Sequence, residues 1–153
     1  MDLIDTIIRV DEGTGPYRAG RHFPYKDSMG YLTIGYGRNI QECGITDDEA
    51  DAMLKFDTVN AWAQCRSQWD WFESLDQIRK AVLVSLVFNM GIMKVCEFKK
   101  MLSALSVKKY DTAANELQDS EWFSQVGRRG NRLVGMLRTG ILDDYYSDRE
   151  SNP

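Results

Sequence analysis

Seven of the twelve glycines and two of the three prolines fall between residues 13 and 44. That clustering constrains the fold more than any other feature of the chain. Glycine and proline punctuate turns and weaken element interiors, so this stretch cannot be one long helix. Short alternating runs such as Tyr31–Tyr36 lie between the glycines and predict a turn-rich β region of two or three strands. On either side the pattern is helical. Leu3, Ile4, Ile7, Ile8 and Val10 make a stripe at helical spacing through residues 2–11, ended by Gly13 and predicted to face a core. Thr46-Asp-Asp-Glu49 and Ser74-Leu-Asp-Gln77 both have the form of a capping box. The first opens a helix carrying Ala50, Met53, Leu54 and Val59. The second opens Ile78–Met90, apolar on nearly every side and therefore central, and stopped by Gly91. Further helices are expected near 95–105, 108–119, 129–138 and 141–147, with Gly127, Gly130 and Gly140 between them. The expected fold class is α+β, mainly α. A small β-hairpin-containing N-terminal lobe (13–44) is joined by a helix (45–66) to a larger helical lobe (67–147) with a loose tail (148–153), all within one domain.

Charge and cysteine content exclude several functions. The net charge of −4 over 153 residues rules out a polycation built for nucleic acid. One local exception is Trp122–Gly140, which holds Arg128, Arg129, Arg132 and Arg138 and no acid. It is either a site for an anion or an internal carboxylate, or a solvated helix face. Cys43, Cys65 and Cys96 show no CxxC spacing and have only His22 beside them as a soft ligand, so a metal site is not expected and buried free thiols are. The longest apolar run, Ala81–Phe88, is broken by Ser85 and is too short to span a membrane. Asp2 and Asp5 interrupt the only early apolar stretch, which predicts no export signal and a cytosolic start.

The residues suited to chemistry lie within the first 33. Glu12 in Arg9-Val-Asp-Glu-Gly13 follows directly on the first helix pattern, where a half-buried carboxyl could hold a proton for a leaving oxygen. Asp27 sits in Tyr25-Lys-Asp-Ser-Met-Gly30, a turn where aspartate bonds to backbone amides. Thr33 lies in Tyr31-Leu-Thr-Ile-Gly-Tyr-Gly37, with Gly35 and Gly37 interrupting the strand pattern. Such glycines mark a bulge or the close approach of another chain, and a sugar strand would explain them. Two carboxyls in unlike surroundings can divide acid and base work, which is what cleavage of a glycosidic bond requires.

These stretches, in this order, resemble the phage lysozymes, the muramidases that cut peptidoglycan. The helical half is similar too, in Leu86-Val-Phe-Asn-Met-Gly91, Trp122-Phe, Arg128-Arg-Gly-Asn-Arg132 and Leu137-Arg-Thr-Gly140. The resemblance implies a lysozyme-like fold and hydrolysis of the β-1,4 bond between N-acetylmuramic acid and N-acetylglucosamine, with neither metal nor coenzyme. It implies Glu12 as general acid, Asp27 acting on the opposite face of the sugar, and Thr33 helping Asp27 to hold the attacking water, with inversion at the anomeric carbon. It places Arg129 beside the catalytic glutamate. Gly35, Tyr36, Gly37 and Phe88 are expected to line the glycan site, Phe88 being equally explained as a core residue.

Two departures from the family pattern stand out. The segment from Gly13 to Lys26 is longer than in the best-known members, and Arg38-Asn39 replaces a histidine-containing pair, which puts a structural ion pair in doubt. The expected role is that of an endolysin in host cell lysis. It would be a monomer that waits in the host cytoplasm without a signal peptide, with no nucleic acid or membrane as ligand. It would reach peptidoglycan in the periplasm once a separate holin opens the way. The alternatives are a lytic transglycosylase using Glu12 alone, a virion-associated lysozyme used at entry, and a module that only binds the glycan.

Overall fold

The computed structural model of the protein describes residues 2–150. They form a mainly α, lysozyme-like α+β fold with ten α-helices and five short strands among the described residues. The chain divides into two compact units, Met1–Met53 and Leu54–Pro153.

The first unit opens with α1 (Leu3–Glu12), its last turn carrying Arg9. The expected period is there, but the expected core is not. Leu3, Ile4, Ile7, Ile8 and Val10 are all exposed, and α1 buries no residue. The reason is size, because among the described residues up to Met53 only Thr33 is buried. A helix and a few two- or three-residue strands enclose too little volume for a core of their own.

The glycine-rich stretch makes five strands in two sheets, not two or three strands. β1 (Tyr17–Arg18) and β2 (Arg21–His22) form an antiparallel hairpin. β3 (Tyr25–Lys26), β4 (Leu32–Ile34) and β5 (Arg38–Asn39) form an antiparallel sheet in the order β3-β4-β5. Tyr31–Tyr36 is therefore not a single strand. Gly35 and Gly37, at φ 64° and 81°, belong to the three-residue loop between β4 and β5, where positive φ favours glycine. Asn39 then caps α2 (Ile40–Cys43), its side chain accepting from the Glu42 N–H. Arg38 forms an ion pair with Glu49, so the atypical Arg38-Asn39 pair has structural work of its own.

The box at Thr46 forms as expected and opens α3 (Asp47–Gln68). The Thr46 N–H donates to Glu49 Oε2 at 2.8 Å and the Glu49 N–H to Thr46 Oγ1 at 3.3 Å. Together with Arg38, the Thr46 N–H holds the Glu49 carboxyl below its ordinary range, the backbone bond contributing most. Ser74 does not cap its helix. It ends a 3-10 turn (Phe72–Ser74), and Asp76 caps α4 (Gln77–Met90) instead, its Oδ1 accepting from the Arg79 N–H at 3.0 Å.

The core lies in the second unit and α4 is central to it, burying Val82, Leu83, Val84, Leu86 and Val87. The expected helix at 95–105 is two, α5 (Ile92–Cys96) and α6 (Lys99–Ser106). α7 (Tyr110–Gln118) packs on α6 and on α9 (Arg128–Thr139), and α8 (Glu121–Val126) packs on α9. Gly130 lies inside α9 and does not separate helices. A Cβ there would stand 2.8 Å from the Phe123 ring, so glycine permits the close approach of α8. α10 (Asp144–Glu150) reaches into the segment expected to be a tail, while residues 151–153 lie outside the described ones.

Arg79 ties this unit together. Its Nε donates to the Leu137 carbonyl at 2.8 Å and its Nη2 to the Arg138 carbonyl at 2.6 Å, satisfying the C-terminus of α9. Its Nη1 pairs with Asp76 at 2.6 Å and its guanidinium lies 3.5 Å from the Tyr110 ring centroid. A Cβ on Gly140 would meet Arg79 Nη1 at 2.4 Å, which explains a glycine at the end of Leu137-Arg-Thr-Gly140. Among the described residues no helix is long and apolar enough to cross a membrane.

Candidate active site

Asp27 follows β3 directly and is held by the turn that leads into β4. Its Oδ1 accepts from the N–H groups of Met29 and Tyr31, both at 2.9 Å. Its own N–H donates to the Tyr31 carbonyl at 3.0 Å, and its carbonyl accepts from Gly30 at 3.0 Å. One carboxylate oxygen is thereby fixed by two amides, leaving Oδ2 to face the β4 residue Thr33, whose Oγ1 lies 3.3 Å away. The same hydroxyl is 3.3 Å from the Tyr31 carbonyl, and Thr33 is only 2% exposed. The β3–β4 register sets this up by pairing Tyr25 with Thr33 across the ladder.

Glu12 is the last residue of α1 and is exposed, not half-buried, since the first unit has no core of its own to take it. Its carboxyl packs against the β4–β5 loop, and a Cβ on Gly37 would stand 2.7 Å from Glu12 Oε2. The close approach that the glycine pattern suggested is thus made, at Gly37, by the glutamate itself. Glu12, Asp27 and Thr33 all belong to the first unit.

Tyr36, between the two glycines, accepts a hydrogen bond from Arg9 Nη1 on its hydroxyl. The Arg9 guanidinium lies over its ring, 4.3 Å from the centroid, and His22 meets it edge-on at 5.1 Å. Sequence reasoning missed Arg9. The available signal was its place one turn before Glu12 on the same helix, where i and i+3 share a face.

The two remaining candidates are in the second unit. Phe88 is 47% exposed and so is not the core residue it could have been, although its neighbours Leu86 and Val87 are. Arg129 Nη2 donates to Ser85 Oγ at 3.2 Å. Two other arginines of the acid-free segment around it also make contacts within the unit. Arg132 lies over the Tyr145 ring at 4.1 Å, and Arg138 donates to Asn115 at 3.0 Å. The family-like stretches of this unit also meet, with Trp122 Nε1 donating to Asn89 Oδ1 at 3.1 Å. A concavity of about 700 Å³ here is lined by Asn89, Lys94, Glu97, Glu121 and Trp122 among others, and by none of the candidate catalytic residues. Shape alone does not locate the chemistry.

An α+β protein with a clamped aspartate and a separate glutamate has the parts of a glycosidase. The chain belongs to the phage lysozyme family, which it matches over residues 17–139, and its reaction class is that of a lysozyme-type glycosidase. Asp27 and Thr33 fall within that match, and Glu12 precedes it. Probable T4-type lysozyme 1 of Dictyostelium discoideum is 31% identical over 174 residues, covering 95% of this chain and 99% of the relative. Probable T4-type lysozyme 2 of the same organism is 29% identical over 150 residues, covering 79% and 88%. The pre-baseplate central spike protein Gp5 of Enterobacteria phage T4 is 24% identical over 167 residues, covering 91% of this chain and 28% of the spike protein.

Proposed function

We propose that the protein hydrolyses the β-1,4 bond between N-acetylmuramic acid and N-acetylglucosamine in bacterial peptidoglycan, with Glu12 as general acid and Asp27 as general base. The clamped Asp27–Thr33 pair carries this reading. With Oδ1 fixed by two amides, the carboxylate cannot swing. Its Oδ2 and the Thr33 hydroxyl then make a preorganised pair of polar atoms able to orient one water. In the proposed inverting step Glu12 gives its proton to the leaving glycosidic oxygen as that oxygen parts from the anomeric carbon. Water attacks the opposite face of the sugar and its proton passes to Asp27. Gly35, Tyr36, Gly37, Phe88 and Arg129 are the proposed glycan contacts, and the chemistry uses side chains alone.

The proposed setting is host lysis, as an endolysin held in the cytoplasm until a separate holin opens the membrane. A lysozyme carried on the virion and used at entry is the second reading, favoured by the similarity to the spike protein. Both settings share one chemistry.

The test is turbidity loss of permeabilised bacteria and the release of reducing ends from purified peptidoglycan. Glu12→Gln should lower the rate by about 10²–10⁴-fold with the fold intact. A folded variant keeping more than about a tenth of the activity would remove Glu12 from this role. Early-time NMR should show the inverted anomer first. A retained anomer would refute the water-directing role of Asp27, and an anhydromuramyl product would identify a transglycosylase.

A further inference from the structure

The segment Gly13–Lys26 contains no acid and three basic side chains, Arg18, Arg21 and Lys26, in a chain whose net charge is −4. Its β1–β2 hairpin turns through Ala19 and Gly20, both at positive φ (48° and 76°), as the tight two-residue turns of hairpins require. The register pairs Tyr17 with His22 and Arg18 with Arg21. Successive side chains alternate across a strand, so the hairpin sorts these four residues onto two faces. Packing accounts for one face. The Tyr17 and His22 rings are 4.9 Å apart, His22 meets Tyr36, and His22 Nδ1 lies 3.1 Å from the Thr14 carbonyl.

The other face has an aromatic contact for Arg18 but, among the described residues, nothing that offsets its charge. Arg18 and Arg21 are exposed and directly opposite one another, an arrangement that destabilises a hairpin by like-charge repulsion. Among the described residues no carboxylate forms an ion pair with either. Arg18 is also held in place, its guanidinium 3.9 Å from the Phe23 ring centroid. Cβ atoms of directly opposed residues stand about 4.5–5.5 Å apart, which lets two guanidinium forks converge on one planar anion. The packed face, through His22 against Tyr36, seats the hairpin beside the Gly37 loop on which Glu12 packs, and the arginine pair lies on the hairpin's opposite face.

We infer that Arg18 and Arg21 form a carboxylate-binding fork that recognises the acidic peptide carried by the glycan strand. The inference rests on the peptidoglycan reading above, since that polymer presents peptide carboxylates along its length. An anion between the two guanidiniums offsets the repulsion that the fold leaves uncompensated. Lys26, next to Asp27 in the sequence, adds a third cation to the same acid-free segment.

The test compares the wild type with Arg18→Gln/Arg21→Gln by co-sedimentation with Gram-negative sacculi. One sample has free peptide carboxylates, and the other has them coupled to a neutral amine. Wild-type affinity should fall about tenfold on capping. The double variant should bind both samples at that lower level while hydrolysing peptide-free glycan strands at the wild-type rate. Arg18→Lys/Arg21→Lys should recover part of the discrimination, because charge returns without the planar fork. Thermal melts control for folding, since the double variant loses the Arg18–Phe23 contact along with the like-charge repulsion. Equal wild-type affinity for both samples overturns the inference, as does an equal loss by the variant on both. So does a variant that keeps its preference for uncapped sacculi but loses binding to vesicles of anionic phospholipid. If the wild type cleaves peptide-free strands without discriminating, the fork fails alone. If it cleaves neither substrate, the peptidoglycan reading fails and the fork with it.

Discussion

Glu12 Oε2 lies 2.7 Å from the point where a Cβ on Gly37 would stand. Residue 37 is also at φ 81°, so a side chain there carries backbone strain as well as a clash. The clashing atom is the far end of a flexible, exposed side chain, so Glu12 can yield at little cost in stability. It yields by moving the candidate proton donor. Gly37→Ala should cost about 1–2 kcal/mol of stability, set by the backbone. It should lower hydrolysis by about 10²-fold, the scale of an ångström-sized misplacement. Denaturant titration and turbidity assays measure the two, and an active but destabilised variant would show that the carboxyl tolerates displacement.

Thr33 offers a cleaner separation of structure from chemistry. It is the buried centre of the three-stranded sheet, and its hydroxyl reaches Asp27 Oδ2 and the Tyr31 carbonyl at equal distances. Thr33→Val keeps the shape and removes the hydroxyl, at about 1 kcal/mol for the lost hydrogen bond. Hydrolysis should fall by about tenfold or more as the water loses one of its two orienting atoms. Thr33→Ser should stay near wild type in rate. A fully active Thr33→Val would assign the hydroxyl to the turn alone.

What the sequence revealed here is what is local. The Thr46 capping box is written in four consecutive residues, and each partner is three positions away. The second box misleads because Asp76 is an equally good capping acceptor two residues beyond Ser74, and the pattern does not say which one the helix takes. The α1 stripe shows the same limit. Period identifies a face, but only the size of the unit decides whether a core exists to receive it. Gly130 reads as a breaker until the Phe123 ring is seen against it. Asp27 and Thr33 were legible as a pair because a short hairpin brings them together. The bonds from Arg79 to α9 span 58 and 59 residues and leave no local trace.

The three cysteines are all free, and they should differ widely in reactivity. Cys65 is fully buried on α3, and burial pushes its thiol up to about 12, so thiolate is scarce at neutral pH. Cys43 ends α2 and is exposed. Native titration with a thiol-specific disulfide reagent should label Cys43 first and Cys65 only on unfolding. Mass spectrometry of the labelled peptides checks the order, and early labelling of Cys65 would show that α3 opens readily.

Acid should unfold the protein in part through Asp76. Burial alone would push this carboxyl up, but the Arg79 N–H, the Arg79 guanidinium and their charge together outweigh it, and Asp76 sits below its ordinary 3.8. Glu73 is likewise held below 4.5, chiefly by its hydrogen bond from Lys80. A group whose folded value is depressed stabilises the protein above its unfolded value and loses that contribution as pH falls through the folded one. The window therefore opens near 4.5 for Glu73 and near 3.8 for Asp76, and extends downward from each. Asp76→Asn keeps an acceptor for the helix cap but cannot titrate, so its unfolding free energy should change less steeply with pH below about 3.8. Arg79→Leu should be far worse at every pH, at about 3 kcal/mol or more, because it strands two α9 carbonyls and removes the partner of Asp76. Urea titrations from pH 2 to 7 (a span chosen to bracket carboxylate titration, about 2–5) measure both slopes. Parallel curves for wild type and Asp76→Asn would mean that the Asp76–Arg79 pair contributes no acid sensitivity, and that acid acts through other carboxylates.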